Sequence, residues 1–234
     1  MGSEDLFHER KARSNQESKR RKASRKPYDR VLIVCEGEKT EPFYFEEIKV
    51  LLEIDSANIE IDGTCGSSPI SVVKHALSLF ERDCASGDTY NKVYCVFDRD
   101  SHETYEQALE VVNQTNIRLI KAKKSTEVIF TAIRSIPSFE YWLLLHFITT
   151  TKPYERTERK SAGDQVIDDL KRYMPNYKKT KKGIFIKSKE DGTLEYAMAQ
   201  SKRIFESAER SGNLNPSTNM HELIKYLKEL KNNK

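Results

Sequence analysis

Val31-Leu32-Ile33-Val34-Cys35-Glu36-Gly37-Glu38-Lys39-Thr40-Glu41-Pro42 is the stretch on which the fold turns. The short, continuous apolar run 31–35 reads as a strand covered on both faces, as inside a parallel sheet. A helix is expected next, with Thr40 as its N-cap and Pro42 in the first turn, where a missing N–H costs little. Phe43, Ile48, Leu51 and Leu52 would form its apolar stripe. The rest of the chain repeats this alternation. Residues 58–61 and 93–97 read as strands, and the second of these runs straight into Asp98-Arg99-Asp100. Helices are expected from Ile70, with Val73, Ala76, Leu77 and Phe80 on one face, and over 102–113. Residues 117–120 and 128–133 are read as further strands. The expected class is therefore α/β, with a Rossmann-like parallel sheet at its core.

Beyond Pro137 the pattern changes. Residues 139–147 are too dense in leucine and aromatics for a surface helix and should be buried. Helices are expected over 161–173 and 193–211, with Gly212 closing the second, and a last one with Met220, Leu223, Ile224, Leu227 and Leu230 on one side. This gives a core over about 30–147 and a helical C-terminal part over about 148–234.

Charge is unevenly spread along the 234 residues. Of 40 Lys/Arg and 36 Asp/Glu, residues 1–30 hold ten and five, which leaves the body with 30 and 31, close to neutral. Residues 1–29 therefore read as a disordered basic arm, able to follow phosphates or simply to solubilise. No run of apolar residues is long enough to span a bilayer, so no membrane association is expected. Cys35, Cys65, Cys84 and Cys95 form no C-x-x-C pair, and no histidine stands at finger spacing from them. A reducing, cytoplasmic setting without disulfides or zinc is expected.

Chemistry is suggested by where three carboxylates fall. Glu36 follows the first apolar strand, and Asp98 and Asp100 end the third. In open α/β sheets, sites form at the carboxyl ends of parallel strands. Two residues apart on extended chain, Asp98 and Asp100 leave the same face, their Cβ atoms roughly 6–7 Å apart. Such carboxylates suit Mg²⁺ (or Mn²⁺), which takes oxygen ligands, keeps several waters and serves phosphodiester hydrolysis. A basic stretch, residues 171–182, holds six Lys/Arg and no acid. Lys178, Lys179, Lys181 and Lys182, interleaved with Tyr173 and Tyr177, would contact nucleic acid, the alternative being a solvated loop. Lys39 would touch a phosphate or simply face solvent. His146 reads as a core or rim histidine, not a catalytic one.

Val34-Cys35-Glu36-Gly37-Glu38-Lys39-Thr40-Glu41, Phe97-Asp98-Arg99-Asp100, Ser135-Ile136-Pro137-Ser138-Phe139-Glu140-Tyr141-Trp142-Leu143-Leu144-Leu145-His146-Phe147 and Asn215-Pro216-Ser217-Thr218 together resemble the RloB-like family. The resemblance runs from about residue 28 to the C-terminus. It implies a Toprim-type fold, as in primases, topoisomerases and OLD-family nucleases, whose acidic site matches Glu36, Asp98 and Asp100 here. It also implies the effector half of a bacterial anti-phage abortive-infection system, beside an AAA-type ATPase, with RNA or tRNA as the nuclease substrate. Two departures stand out. Glu41 follows Glu36 by five residues where OLD-type nucleases have four, so it is either a further metal ligand or a charge favouring its helix N-terminus. Ile136 stands where the family often has Asn. Glu140 would border the site or merely open a helix. A non-catalytic adaptor, a DNA-nicking enzyme and a homo-oligomer remain open at this point.

Overall fold

The computed structural model describes residues 29–54, 58–87, 89–99, 103–122 and 129–232. Residues 1–28 of the expected arm lie outside these, as do Asp100 and His102. The strands are β1 (Val31–Cys35), β2 (Ile59–Asp62), β3 (Lys92–Asp98), β4 (Phe130–Ile136) and β5 (Ser217–Thr218). They form one sheet in the order β2-β1-β3-β4-β5. The first four are parallel, and β5 joins β4 antiparallel, so the sheet is mixed at one edge.

The reading of 31–35 holds: all five side chains of β1 are fully buried. Val31, Ile33 and Cys35 face one apolar cluster, Leu32 and Val34 the other, as the two-residue period of a strand requires. Each such side chain contributes about 1.5–3 kcal/mol of burial. The second cluster lies under α2 (Pro69–Ser86) and α3 (Tyr105–Lys121). The first is covered by α1 (Thr40–Leu51), α4 (Phe139–Leu144), α5 (Ala162–Lys171), α6 (Ile184–Glu190), α7 (Leu194–Ser211) and α8 (Met220–Asn232). The C-terminal helices thus extend the layer begun by α1. No helix among the described residues is long and apolar enough to cross a membrane.

Local differences from the sequence reading have physical causes. Residues 117–120, expected as a strand, are the last turn of α3. The buried positions Ala108, Val112, Thr115 and Leu119 recur at helical spacing and carry the helix through, leaving Ile120 44 % exposed. Asn116, in that same turn, accepts the N–H of Phe130 (3.0 Å) and donates to its carbonyl (2.8 Å), fixing the start of β4. On α1 the buried face is Tyr44, Phe45 and Ile48, while Phe43 and Leu51 are half-buried. The N-cap of α1 is Lys39 rather than Thr40, whose hydroxyl is engaged elsewhere. Neither α6 nor β5 was expected.

Candidate acidic site at the carboxyl edge of the sheet

Cys35 ends β1 beside Val96 of β3, so the next residue, Glu36, emerges at the carboxyl edge. Its N–H extends the ladder to the Val96 carbonyl (2.9 Å), and its carboxylate Oε2 accepts the backbone N–H of Asp98 (3.0 Å). Glu36 therefore arches over the end of β3, directly beside Asp98. Gly37 follows at φ +99°, a left-handed conformation that turns the chain away at once. The turn is packed against Gly63, where a Cβ would stand 2.4 Å from the Gly37 carbonyl oxygen and 2.8 Å from Pro42.

Two more carboxylates close in. Glu41, in the first turn of α1, is 7 % exposed. Glu140, in the first turn of α4, is 1 % exposed. It accepts the Ser138 hydroxyl (2.8 Å) on one oxygen and the Tyr177 hydroxyl (3.0 Å) on the other. The Trp142 indole N–H donates to the Tyr44 hydroxyl (2.8 Å), bolting α4 to α1 and so fixing Glu140 relative to Glu41. Lys179 reaches in from the basic stretch, its Nζ 3.6 Å from Glu140 Oε1. Its carbonyl accepts the Thr40 hydroxyl (2.8 Å), which is why that hydroxyl does not cap α1.

Residues 31–227 match the family model described as RloB-like protein. The chain belongs to the RloB-like family. No curated protein and no solved structure matches it.

In this RloB-like protein the carboxylates repel one another. Asp98 keeps some exposed surface, but its carboxyl group is surrounded by protein. Burial, then the charges of Glu41, Glu140 and Glu36, hold it well above the ordinary carboxylate range, against a hydrogen bond from the Phe139 N–H. Glu41 is pushed up to about 8, chiefly by burial; its own backbone N–H and Lys179 oppose the shift, and Glu140 and Glu36 add to it. Burial pulls the Lys179 ammonium down, yet Glu140, Asp98 and Glu41 outweigh it and its affinity for the proton rises.

Asp98 and Glu41, which resist ionisation beside two further carboxylates, fit a hard divalent cation, which would relieve the repulsion. Among the described residues no three His, Cys, Asp or Glu side chains already close on one point. Mg²⁺ does not require that, since it keeps several waters and commonly takes one or two carboxylates.

The other candidates are more scattered. Lys39, Lys178 and Lys181 are exposed, and the Lys182 ammonium lies 4.6 Å from the Phe43 ring centre. Tyr177 is buried and committed to Glu140, so it is not a stacking platform; Tyr173 stacks on Phe147 (5.5 Å, 10°). The basic stretch is not a loose loop. The Thr40 hydroxyl ties it at Lys179, and the Glu47 carboxylate accepts the N–H groups of Gly183 and Phe185 (2.9 Å). His146 is buried against Trp142, its Nδ1 3.1 Å from the Thr193 hydroxyl, and burial lowers its pKa to about 4. The four cysteines are free, with Cys35 and Cys95 buried in the sheet.

Proposed function

We propose that this RloB-like protein is a Mg²⁺-dependent nuclease of Toprim type. The observation that carries the reading is Glu36 bonded over Asp98 at the carboxyl edge, with Glu41 and Glu140 crowding the same point. Glu36 and Asp98, with Asp100 from the adjoining segment, would hold the cation. When bound, Mg²⁺ (or Mn²⁺) supplies Lewis-acid stabilisation of charge on a phosphodiester.

The chain's own residues do the rest. Glu41, buried beside the other carboxylates, is held toward its protonated form until a cation offsets their charge. Lys179 sets a positive charge at the rim, suited to a non-bridging phosphate oxygen. Glu140, steadied by Ser138 and Tyr177, positions that ammonium. RNA is the proposed substrate and an AAA-type ATPase the proposed partner, within a cytoplasmic anti-phage defence function; both come from the family resemblance.

The test is induced expression of the wild type and Asp98→Asn, followed by mapping of cellular RNA ends, with purified protein assayed on RNA and DNA panels plus and minus Mg²⁺. New RNA ends that vanish in the variant support the reading. Unchanged cleavage in the variant removes Asp98 from the chemistry and refutes the site. No cleavage of any nucleic acid with any divalent ion refutes the nuclease reading in favour of a non-catalytic adaptor. Cleavage confined to DNA would make it a nicking enzyme.

A further inference from the structure

α7 carries Arg203, Ser207 and Arg210 at intervals of four and three, hence on one helix face. This face forms a wall of a groove of about 560 Å³ whose far side is Thr151, Asn213, Asn215 and Pro216. No acidic side chain lines it. Several arginines are neutralised, Arg30 by Asp83, Arg118 by Glu81, Arg134 by Glu209 and Arg172 by Asp169. Arg99, Arg156 and Arg159 have no carboxylate partner among the described residues, and they line no part of this groove. Among the described residues, Arg203 bonds only the neutral amide of Gln200 (2.8 Å), and Arg210 has no carboxylate partner. The acids nearest in sequence are occupied, Glu206 by Lys202 and Glu209 by Arg134. Two guanidinium groups that make no ion pair, beside hydroxyl and amide donors, suit phosphate oxygens.

Sheet register places the groove relative to the acidic site. Asp98 of β3 pairs with Ser135 of β4, Ser135 with Thr218 of β5, and Ile136 with Ser217. β5 runs antiparallel, so Pro216 stands level with Pro137, on the edge where Glu36 and Asp98 emerge. Two strand spacings, about 10 Å, separate β5 from β3. The groove floor is fixed, because the Asn215 side chain both donates to the Tyr154 carbonyl (2.8 Å) and accepts its N–H (3.3 Å).

We infer that this groove binds the phosphodiester backbone of the strand whose cleavage site lies over Asp98, with Arg203 and Arg210 as its anion contacts. The inference rests on the nuclease reading and adds a second contact region to it. It is tested by fluorescence anisotropy of a labelled single-stranded RNA of about 20 nucleotides, with the full chain in chelator, across a salt series. The wild type is compared with the double variant Arg203→Ala/Arg210→Ala and with Arg203→Lys/Arg210→Lys, each checked for an unchanged thermal midpoint. The alanine pair should weaken binding on the order of tenfold and flatten the log K against log salt slope by about 1.4, since each single-strand phosphate contact contributes about 0.7. The lysine pair should keep most of the slope.

Equal affinity and slope in all three proteins, with cleavage intact, overturns the groove and leaves the acidic site standing. A wild type that neither binds nor cleaves RNA removes both. An inorganic phosphate arm separates the sources: phosphate bound by the wild type and lost in the alanine pair, with RNA affinity unmoved, marks a free-anion site and overturns the backbone assignment.

Discussion

Ser135 of β4 has Asp98 on one side and Thr218 on the other, and the polar clusters built around these two neighbours differ in kind. On the Thr218 side the groups are mostly neutral and hydrogen-bonded to one another, the Ser217 hydroxyl excepted. Asn219 accepts the Arg134 N–H (2.8 Å) and donates to the Ala132 carbonyl (3.0 Å) and to Glu222 (3.1 Å). Ser201 donates to the Thr218 carbonyl (2.7 Å) and meets His221 (2.8 Å), while Ser135 and Thr218 share a hydrogen bond (3.1 Å). On the Asp98 side, carboxylates crowd one another with one ammonium between them. The satisfied cluster joins β4 to the C-terminal helices. The repelling one opposes folding, and groups kept in that condition point to a site shaped by function.

Asp98→Asn gives the sharpest separation. Loss of a cation ligand should reduce cleavage at least about 100-fold, several kcal/mol of transition-state stabilisation. The thermal midpoint should stay level or rise, because Asn keeps the shape of Asp98 and cannot ionise in its buried, acidic surroundings. Single-turnover cleavage and a melting curve check both, and a variant that melts well below wild type would place Asp98 in the structural class.

The second is a pH effect. With Glu41 raised from 4.5 to about 8, the folded state binds more protons than the unfolded state between those values. Stability contributed by the protonated form is fully present below pH 4.5 and is lost as pH climbs through 8, a cost of a few kcal/mol. In chelator, urea midpoints should fall from pH 5 to 8, and Mg²⁺ should restore much of the loss. A flat profile with and without Mg²⁺ would break the contrast.

Asn219→Ala tests the satisfied side. It strands the Arg134 N–H and the Ala132 carbonyl, and should cost about 2–4 kcal/mol in urea unfolding while leaving cleavage per folded molecule unchanged. The smallest effect is expected at Ser217, whose hydroxyl is buried without a partner among the described residues. Ser217→Ala should change stability by no more than about 1 kcal/mol, in the stabilising direction. A clear loss there would mean that the hydroxyl holds a water.

Much of this was legible in the chain. The parallel strands show because their apolar runs are continuous, and Glu36 and Asp98 show because each ends such a run. Residues 117–120 misled because four residues cannot distinguish strand from helix; the stripe beginning at Ala108 can. Lys179 could be read as basic but not as a member of the acidic site. Its position depends on a hydroxyl 139 residues away, and no local periodicity encodes that. Glu140 had a fainter signal, as the acid that follows the end of β4 on the edge already marked by Glu36 and Asp98. Tyr177, alternating with lysines, looked outward-facing, yet the carboxylate waiting in the interior turned it round.

The doubly fastened segment from Lys179 to Phe185 has a consequence for control. Tied at one end to Thr40 and at the other to Glu47, it is held by the same helix that bears Glu41. Opposite charges therefore ride on a single rigid piece, and the centre needs no ordering step to come together. On the nuclease reading, any control would then act as a cover over the entrance or as competition for the ion, not as a brake on assembly.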